Sequence, residues 1–240
     1  MTTSNLKGKT VVIIGGSIGI GLAVGKGAQA EGAKVILASS TPAKLEGAVA
    51  ELGGAGRGIV VDVTDEAAVA RFFDEVGAFD HLVYTAGDSG HLPPRPVTEL
   101  DLAEAEGVFS IRFWCALAAI KHGCRHIAPD GSIILTDGTI AHRPIRGQFV
   151  GSAMLGAVEH LVAGLAFDLA PIRVNGVCPG LIGGHRTATI PEERLKAAIA
   201  SLPMKRMGKP DECAEAYLYL MRAGYTTGQV VRVDGGSSLI

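Results

Sequence analysis

Residues 15–21 read GGSIGIG and set glycines at 15, 19 and 21 in the spacing G-x-x-x-G-x-G. Glycine removes the Cβ, which lets backbone amides close on a phosphate at the positive end of a helix. With 33 glycines in 240 residues the spacing alone says little. Its position decides, because it joins an apolar run, residues 10–14, to a helix-like stretch, where a pyrophosphate-binding turn belongs. Two neighbouring stretches suit the rest of a dinucleotide. Asp62, in VVDVTD (60–65), could accept from an adenine amine; the competing reading is a helix N-cap role for Asp62 or Thr64. ASST (38–41) offers Ser39 and Ser40 but no carboxylate where a ribose-gripping Asp or Glu is expected for NAD. That leans the cofactor toward NADP. NAD stays as the alternative, since the Arg that meets a 2′-phosphate is absent too.

The elements that would position these groups alternate along the whole chain. TVVII (10–14), KVILA (34–38), RGIVV (57–61), HLVYT (81–85), SIILT (132–136), IRVNGV (172–177) and VVRV (230–233) have strand character. Helix-like segments fall at roughly 18–30, 42–52, 65–76, 98–125, 149–169 and 211–222. The strands are continuous apolar runs, so both sheet faces should be covered. This repetition implies an α/β, doubly wound parallel sheet with right-handed crossovers, in one domain spanning 1–240.

Net charge is −2, and Lys and Arg never cluster beyond two adjacent residues, which excludes a nucleic-acid footprint. Cys115, Cys124, Cys178 and Cys213 form no C-x-x-C pair, and no metal-ligand spacing is read from the chain. The first residues, MTTSNLKGK, lack the apolar centre of a secretion signal, and no apolar run is read as membrane-spanning. A reduced, cytoplasmic protein without a membrane role is expected.

IGGSIGIG (14–21), Asp62, TAG (85–87), VNGVCPG (174–180) and TGQVVRVDGG (227–236) together resemble the short-chain dehydrogenase/reductase family in its classical form, over essentially the whole chain. The resemblance implies a seven-stranded Rossmann-like sheet with the cofactor across the C-terminal strand ends. It implies cofactor contacts at Gly15, Ser17, Gly19, Ile20, Gly21, Ser39, Ser40, Asp62, Val63, Ala86, Gly87, Pro179, Gly180 and Ile182. It also implies an oxidoreductase acting on a carbonyl or alcohol, assembled as a homo-oligomer through its long helices.

The family's chemistry comes from an Asn, a Ser and a Tyr-x-x-x-Lys pair. The matching positions here hold Arg112, Gly138, Gly151 and Leu155. No shift rescues them, because the chain has no Lys between Lys121 and Lys196 and no Tyr between Tyr84 and Tyr217. The Thr that commonly follows Pro-Gly is also replaced, by Gly183 and Gly184. Substitutes are sparse. The loop TDGTIAHRPIRGQ (136–148) carries Asp137, His142, Arg143 and Arg146, with His142 the natural acid/base. Tyr84 ends the fourth strand, and His185 and Arg186 follow the Pro-Gly turn. The ordinary reading of each is packing or surface. Arg112 would either favour an anion or salt-bridge a neighbour. Two functions follow: an oxidoreductase with impaired or displaced proton transfer, or an inactive nucleotide-binding scaffold. A non-redox enzyme using Asp137 or His142 has only location in its favour.

Overall fold

The computed structural model describes residues 5–87, 93–185 and 187–240. Its strands are β1 (Thr10–Ile14), β2 (Lys34–Ser39), β3 (Arg57–Val60), β4 (Phe79–Tyr84), β5 (Ile127–Thr136), β6 (Arg173–Pro179) and β7 (Val230–Val233). All pair in parallel, in the order β3-β2-β1-β4-β5-β6-β7. The chain winds outward from β1 to β3, returns to the centre at β4, and winds out the other way. The reversal leaves a crevice between the C-terminal ends of β1 and β4.

The helices are α1 (Gly19–Ala30), α2 (Pro42–Glu51), α3 (Glu66–Val76), α4 (Leu102–Val108), α5 (Ala116–Gly123), α6 (Phe149–Asp168), α7 (Glu192–Ser201) and α8 (Pro210–Arg222). They cover both faces, and the pleat explains why each strand reads as an unbroken apolar run. Val12 and Ile14 enter a core shared with α3, α5 and α6, whereas Val11 and Ile13 enter one shared with α1, α2 and α8. Beneath α8, the buried Arg173 guanidinium donates to the carbonyls of Leu220 (2.6 Å), Ala223 (3.1 Å) and Met221 (2.8 Å). A cation there satisfies the last-turn carbonyls and the negative helix end together.

Four expectations need correction. The stretch 98–125 is not one helix: a 3₁₀ turn (Val97–Glu99) precedes α4, and a π-helical turn (Ser110–Cys115) separates α4 from α5. Helix α7 was not expected from the sequence. The cap of α3 is neither Asp62 nor Thr64 but Asp65, whose carboxylate accepts from the amides of Ala67 (2.9 Å) and Ala68 (3.1 Å). Finally, α6 is 20 residues long and apolar enough, by length and composition alone, to meet the requirement of a membrane span. In the fold it lies on the sheet, with Met154, Leu155, Val158, Val162 and Ala166 buried.

His81 tests the lower half of the sheet. It is 4% exposed on β4, and its Nδ1 lies 2.9 Å from Ser132 Oγ on β5. Burial, with Arg173 and Lys9 adding, pushes its pKa down to about 4 against the opposing pull of Asp80. A base held neutral by the fold lets the unfolded chain take the proton first. Its stabilising share is therefore present above pH 6.5 and lost as pH falls toward 4, by about 3 kcal/mol. Denaturant unfolding of the parent and His81→Asn across pH 4–7 should show a steeper acid loss in the parent. Parallel curves would remove His81 as the cause.

Candidate active site

The glycine turn at 15–21 is built by two loops pressed together at the crevice. Both the Thr85 and the Ala86 amides donate to the Ile14 carbonyl (2.8 and 3.1 Å). Gly15 takes a φ of +88°, and a Cβ there would lie 2.5 Å from the Ala86 nitrogen. Gly21 faces back across the turn, where a Cβ would lie 2.3 Å from the Gly15 oxygen and 2.6 Å from Thr85 Oγ1. Thr85 Oγ1 itself donates to the Gly15 carbonyl (3.1 Å) and lies 3.2 Å from that of Ile14. Gly19 differs: its φ is +56°, but a Cβ would meet nothing within 4 Å. Two glycines therefore hold the turn shut, while the third keeps the mouth of α1 open. No side chain caps α1 at Ile18, so its first amides face that opening. Ile20 is half-buried beside them.

At the β2 end of the turn, the buried Ser17 donates to Ser39 Oγ (3.0 Å), and Ser40 is exposed at the rim. Asp62 is exposed and takes the Thr64 amide (2.9 Å) and hydroxyl (2.7 Å), which hold its carboxylate below the usual range. Val63 is half-buried next to it.

The far end of the crevice has a different character. Tyr84 is buried and donates to the Ile111 carbonyl (2.7 Å), taking up an acceptor within the π turn. Arg112, on that same turn, lies across the strand ends: Nη1 donates to the Thr136 carbonyl at 3.4 Å. Its guanidinium covers Gly87, where a Cβ would sit 2.4 Å from Nη2. Gly138 and Leu155 face one another, with Leu155 Cδ1 3.1 Å from the place of a Gly138 Cβ. Ile140 Cδ1 lies 3.3 Å from the corresponding place at Gly151. Pro179 and Gly180 are half-buried, and the Gly180 amide donates to Val233 (3.0 Å). Beyond them Ile182 pairs with Gly208 at the edge of a cavity of about 270 Å³, walled by Leu181, Leu202, Met204 and Val233. Gly183 donates to the Gly208 carbonyl (2.8 Å) and Gly184 to Thr187 Oγ1 (2.9 Å).

The loop after β5 turns its polar groups away from this floor. His142 lies between Glu159 on α6 (Nε2–Oε1 2.5 Å) and Arg232 on β7 (3.0 Å from Nδ1), so both ring nitrogens are engaged. Asp137 is 3% exposed; its Oδ1 accepts from the Gly138 amide (2.5 Å). Burial, and then the adjoining Glu159 carboxylate, push the Asp137 pKa far above the carboxylate range. Burial would raise Glu159 as well, but its contacts with Asp137 and His142 more than offset that. Arg143 Nη1 reaches the Ser237 carbonyl (3.4 Å), and Arg146 and His185 are exposed. Arg186 lies outside the described residues. Sequence reasoning missed Thr85 as the clasp of the turn, and the convergence of Asp137, His142, Glu159 and Cys178.

Residues 15–238 match the family model for enoyl-(acyl carrier protein) reductase. A short-chain dehydrogenase/reductase of Stachybotrys chlorohalonatus, ATR9, is 33% identical over 98% of both chains. The galactitol 2-dehydrogenase (L-tagatose-forming) of Cereibacter sphaeroides is also 33% identical, over 98% of this chain and 97% of its own. Among solved structures, the MalC reductase/Diels-Alderase of Malbranchea aurantiaca superposes with a TM-score of 0.89 at 30% identity, covering 98% of this chain and 97% of that one. A small-chain dehydrogenase in complex with NADPH reaches 0.82 at 30% identity, covering 98% and 100%.

The glycines separate folding from binding. Gly21→Ala drives a methyl into backbone and should cost the fold about 1–3 kcal/mol. Gly19→Ala adds about 1–2 kcal/mol of left-handed strain but no clash, and its methyl points where a pyrophosphate would lie. Thermal melts with NADPH titrations should find Gly19→Ala folded yet binding at least about tenfold more weakly. Unchanged binding in that variant would move the phosphate site elsewhere.

Proposed function

Since the chain belongs to the short-chain dehydrogenase/reductase family, we propose that it binds NADP(H) in the β1–β4 crevice and supports hydride transfer only slowly, without the family's tyrosine acid. The observation that carries this reading is the contrast between the two ends of one crevice. At the phosphate end the glycine clasp keeps every close backbone contact. At the reactive end Leu155 and Ile140 close on Gly138 and Gly151.

The amides of the Gly19 turn would hold the pyrophosphate, and Ser39 and Ser40 offer hydroxyls rather than a repelling carboxylate to a 2′-phosphate. When bound, the nicotinamide supplies a hydride. Arg112, anchored to the Thr136 carbonyl over Gly87, would stabilise negative charge developing on a substrate oxygen. Leu155 and Ile140 exclude water but donate no proton. A positioned general acid contributes about 10²–10⁴-fold, which sets the expected deficit in turnover. The second reading, a nucleotide-binding scaffold, is favoured by that same apolar closure. Its assembly would use the outer side of α6, where Gly156 and Gly164 leave room for close approach and Phe167 is 87% exposed. Light scattering should then report a homo-oligomer that Phe167→Glu dissociates. A monomeric parent would refute that assembly.

Fluorescence titration with NADPH and NADH should give micromolar binding and favour NADPH. A carbonyl screen should then find weak reduction, and the triple variant Gly138→Ser, Gly151→Tyr, Leu155→Lys should raise it by at least about tenfold. Gly138→Ser alone should lose stability, because its side chain meets Leu155. Failure to bind either dinucleotide would sink the proposal. Binding without any gain in the triple variant would favour the scaffold.

A further inference from the structure

The four residues brought together below the Gly138 turn come from four separate elements. Asp137 ends β5, His142 lies in the loop that follows, Glu159 is on α6, and Cys178 is near the end of β6. One ligand-type atom from each lies within 4.8 Å of all the others. Asp137 and Cys178 are buried, and His142 and Glu159 are half-buried. The set contains every donor type that borderline divalent ions take from proteins: carboxylate oxygen, imidazole nitrogen and sulfur.

A second observation concerns Asp137 itself. Its Oδ1 receives the Gly138 amide, but Oδ2 is fully buried and, among the described residues, has no hydrogen-bond partner. The carboxylate of Glu159 adjoins it, within 4.8 Å. A buried, unpartnered carboxyl oxygen beside a half-buried carboxylate calls for a proton or a metal cation between them. A shared proton would satisfy that pair of acids; what makes a ligand set of the group is that an imidazole nitrogen and a thiol sulfur stand within the same 4.8 Å.

We propose that Asp137, His142, Glu159 and Cys178 form a closed four-ligand site for a divalent transition-metal ion, with Zn(II) fitting best. Four protein ligands leave no open position, which makes the site structural. It would pin the loop 137–148 and the first half of α6 to β5 and β6, fixing the wall that carries Gly138 and Gly151. Ligation displaces the protons of Asp137 and Cys178 and places the imidazole proton of His142 on Nδ1. Arg232, exposed on β7, then turns from that nitrogen to the Glu159 carboxylate.

The test uses the full chain, stripped with EDTA and titrated with Co(II). One equivalent should produce a near-ultraviolet thiolate-to-metal band with strong visible bands of four-coordinate cobalt, and Zn(II) should abolish both. Zn(II) at about a hundredfold its Kd should raise the thermal midpoint by roughly 5–10 °C. Cys178→Ser should lose the ultraviolet band. His142→Ala, on a half-exposed loop and checked for folding by circular dichroism, should weaken binding about tenfold or more. No saturable band, or a band that survives in both folded variants, would overturn the site and leave a shared proton to hold the carboxyl pair.

Discussion

The Ile14 carbonyl at the end of β1 receives two amides from the chain leaving β4. Everything at the crevice depends on that shared acceptor. It draws the two loops so close that Gly15 and Gly21 have no space for a β-carbon, and it leaves Thr85 one pose, bridging to the Gly15 carbonyl. The sheet order makes the approach unavoidable, because β1 and β4 are neighbours in space but belong to opposite windings. The outward-facing mouth of α1 is what remains when the inward side is filled.

The opposite end of the crevice obeys packing rather than polar geometry. Leu155 and Ile140 occupy volume beside two glycines, and Arg112 lies flat against a third at Gly87. The π turn carrying Arg112 has its Ile111 carbonyl taken by the Tyr84 hydroxyl, so the backbone there is held and not loose. A guanidinium anchored to the Thr136 carbonyl brings positive charge to the strand ends. The two ends of one groove are thus under different constraints: backbone fit at the glycine turn, apolar closure around Gly138 and Gly151.

Much of the fold could be read from the sequence because buried parallel strands keep to one vocabulary, β-branched and continuous, while glycine marks the turns between them. The glycine turn was legible for the same reason, whereas the reading of 112, 138, 151 and 155 rested on the family resemblance alone. What escaped depended on geometry that residue spacing does not encode. The interruption at Ser110–Cys115 leaves a helical hydrophobic pattern on both sides, so 98–125 reads as continuous. Asp62, Thr64 and Asp65 are all acceptable caps within four positions, and only the backbone selects Asp65. Helix α7 buries none of its residues fully, and its apolar stripe is only the half-buried Leu195, Ala198 and Ile199. The grouping of Asp137 with Cys178 joins the ends of two adjacent strands and needs the β5–β6 register to be known.

The apolar closure also limits what single substitutions can do. A side chain at 138 meets Leu155 Cδ1 and one at 151 meets Ile140 Cδ1, so either added alone requires its neighbour to shift by a few tenths of an ångström. Lysine at 155 taken alone would set an ammonium on a buried face of α6, beside two glycines that give it no partner. Positions 138, 151 and 155 are therefore coupled through packing, and the effects of changing them one at a time should not add up to the effect of changing them together.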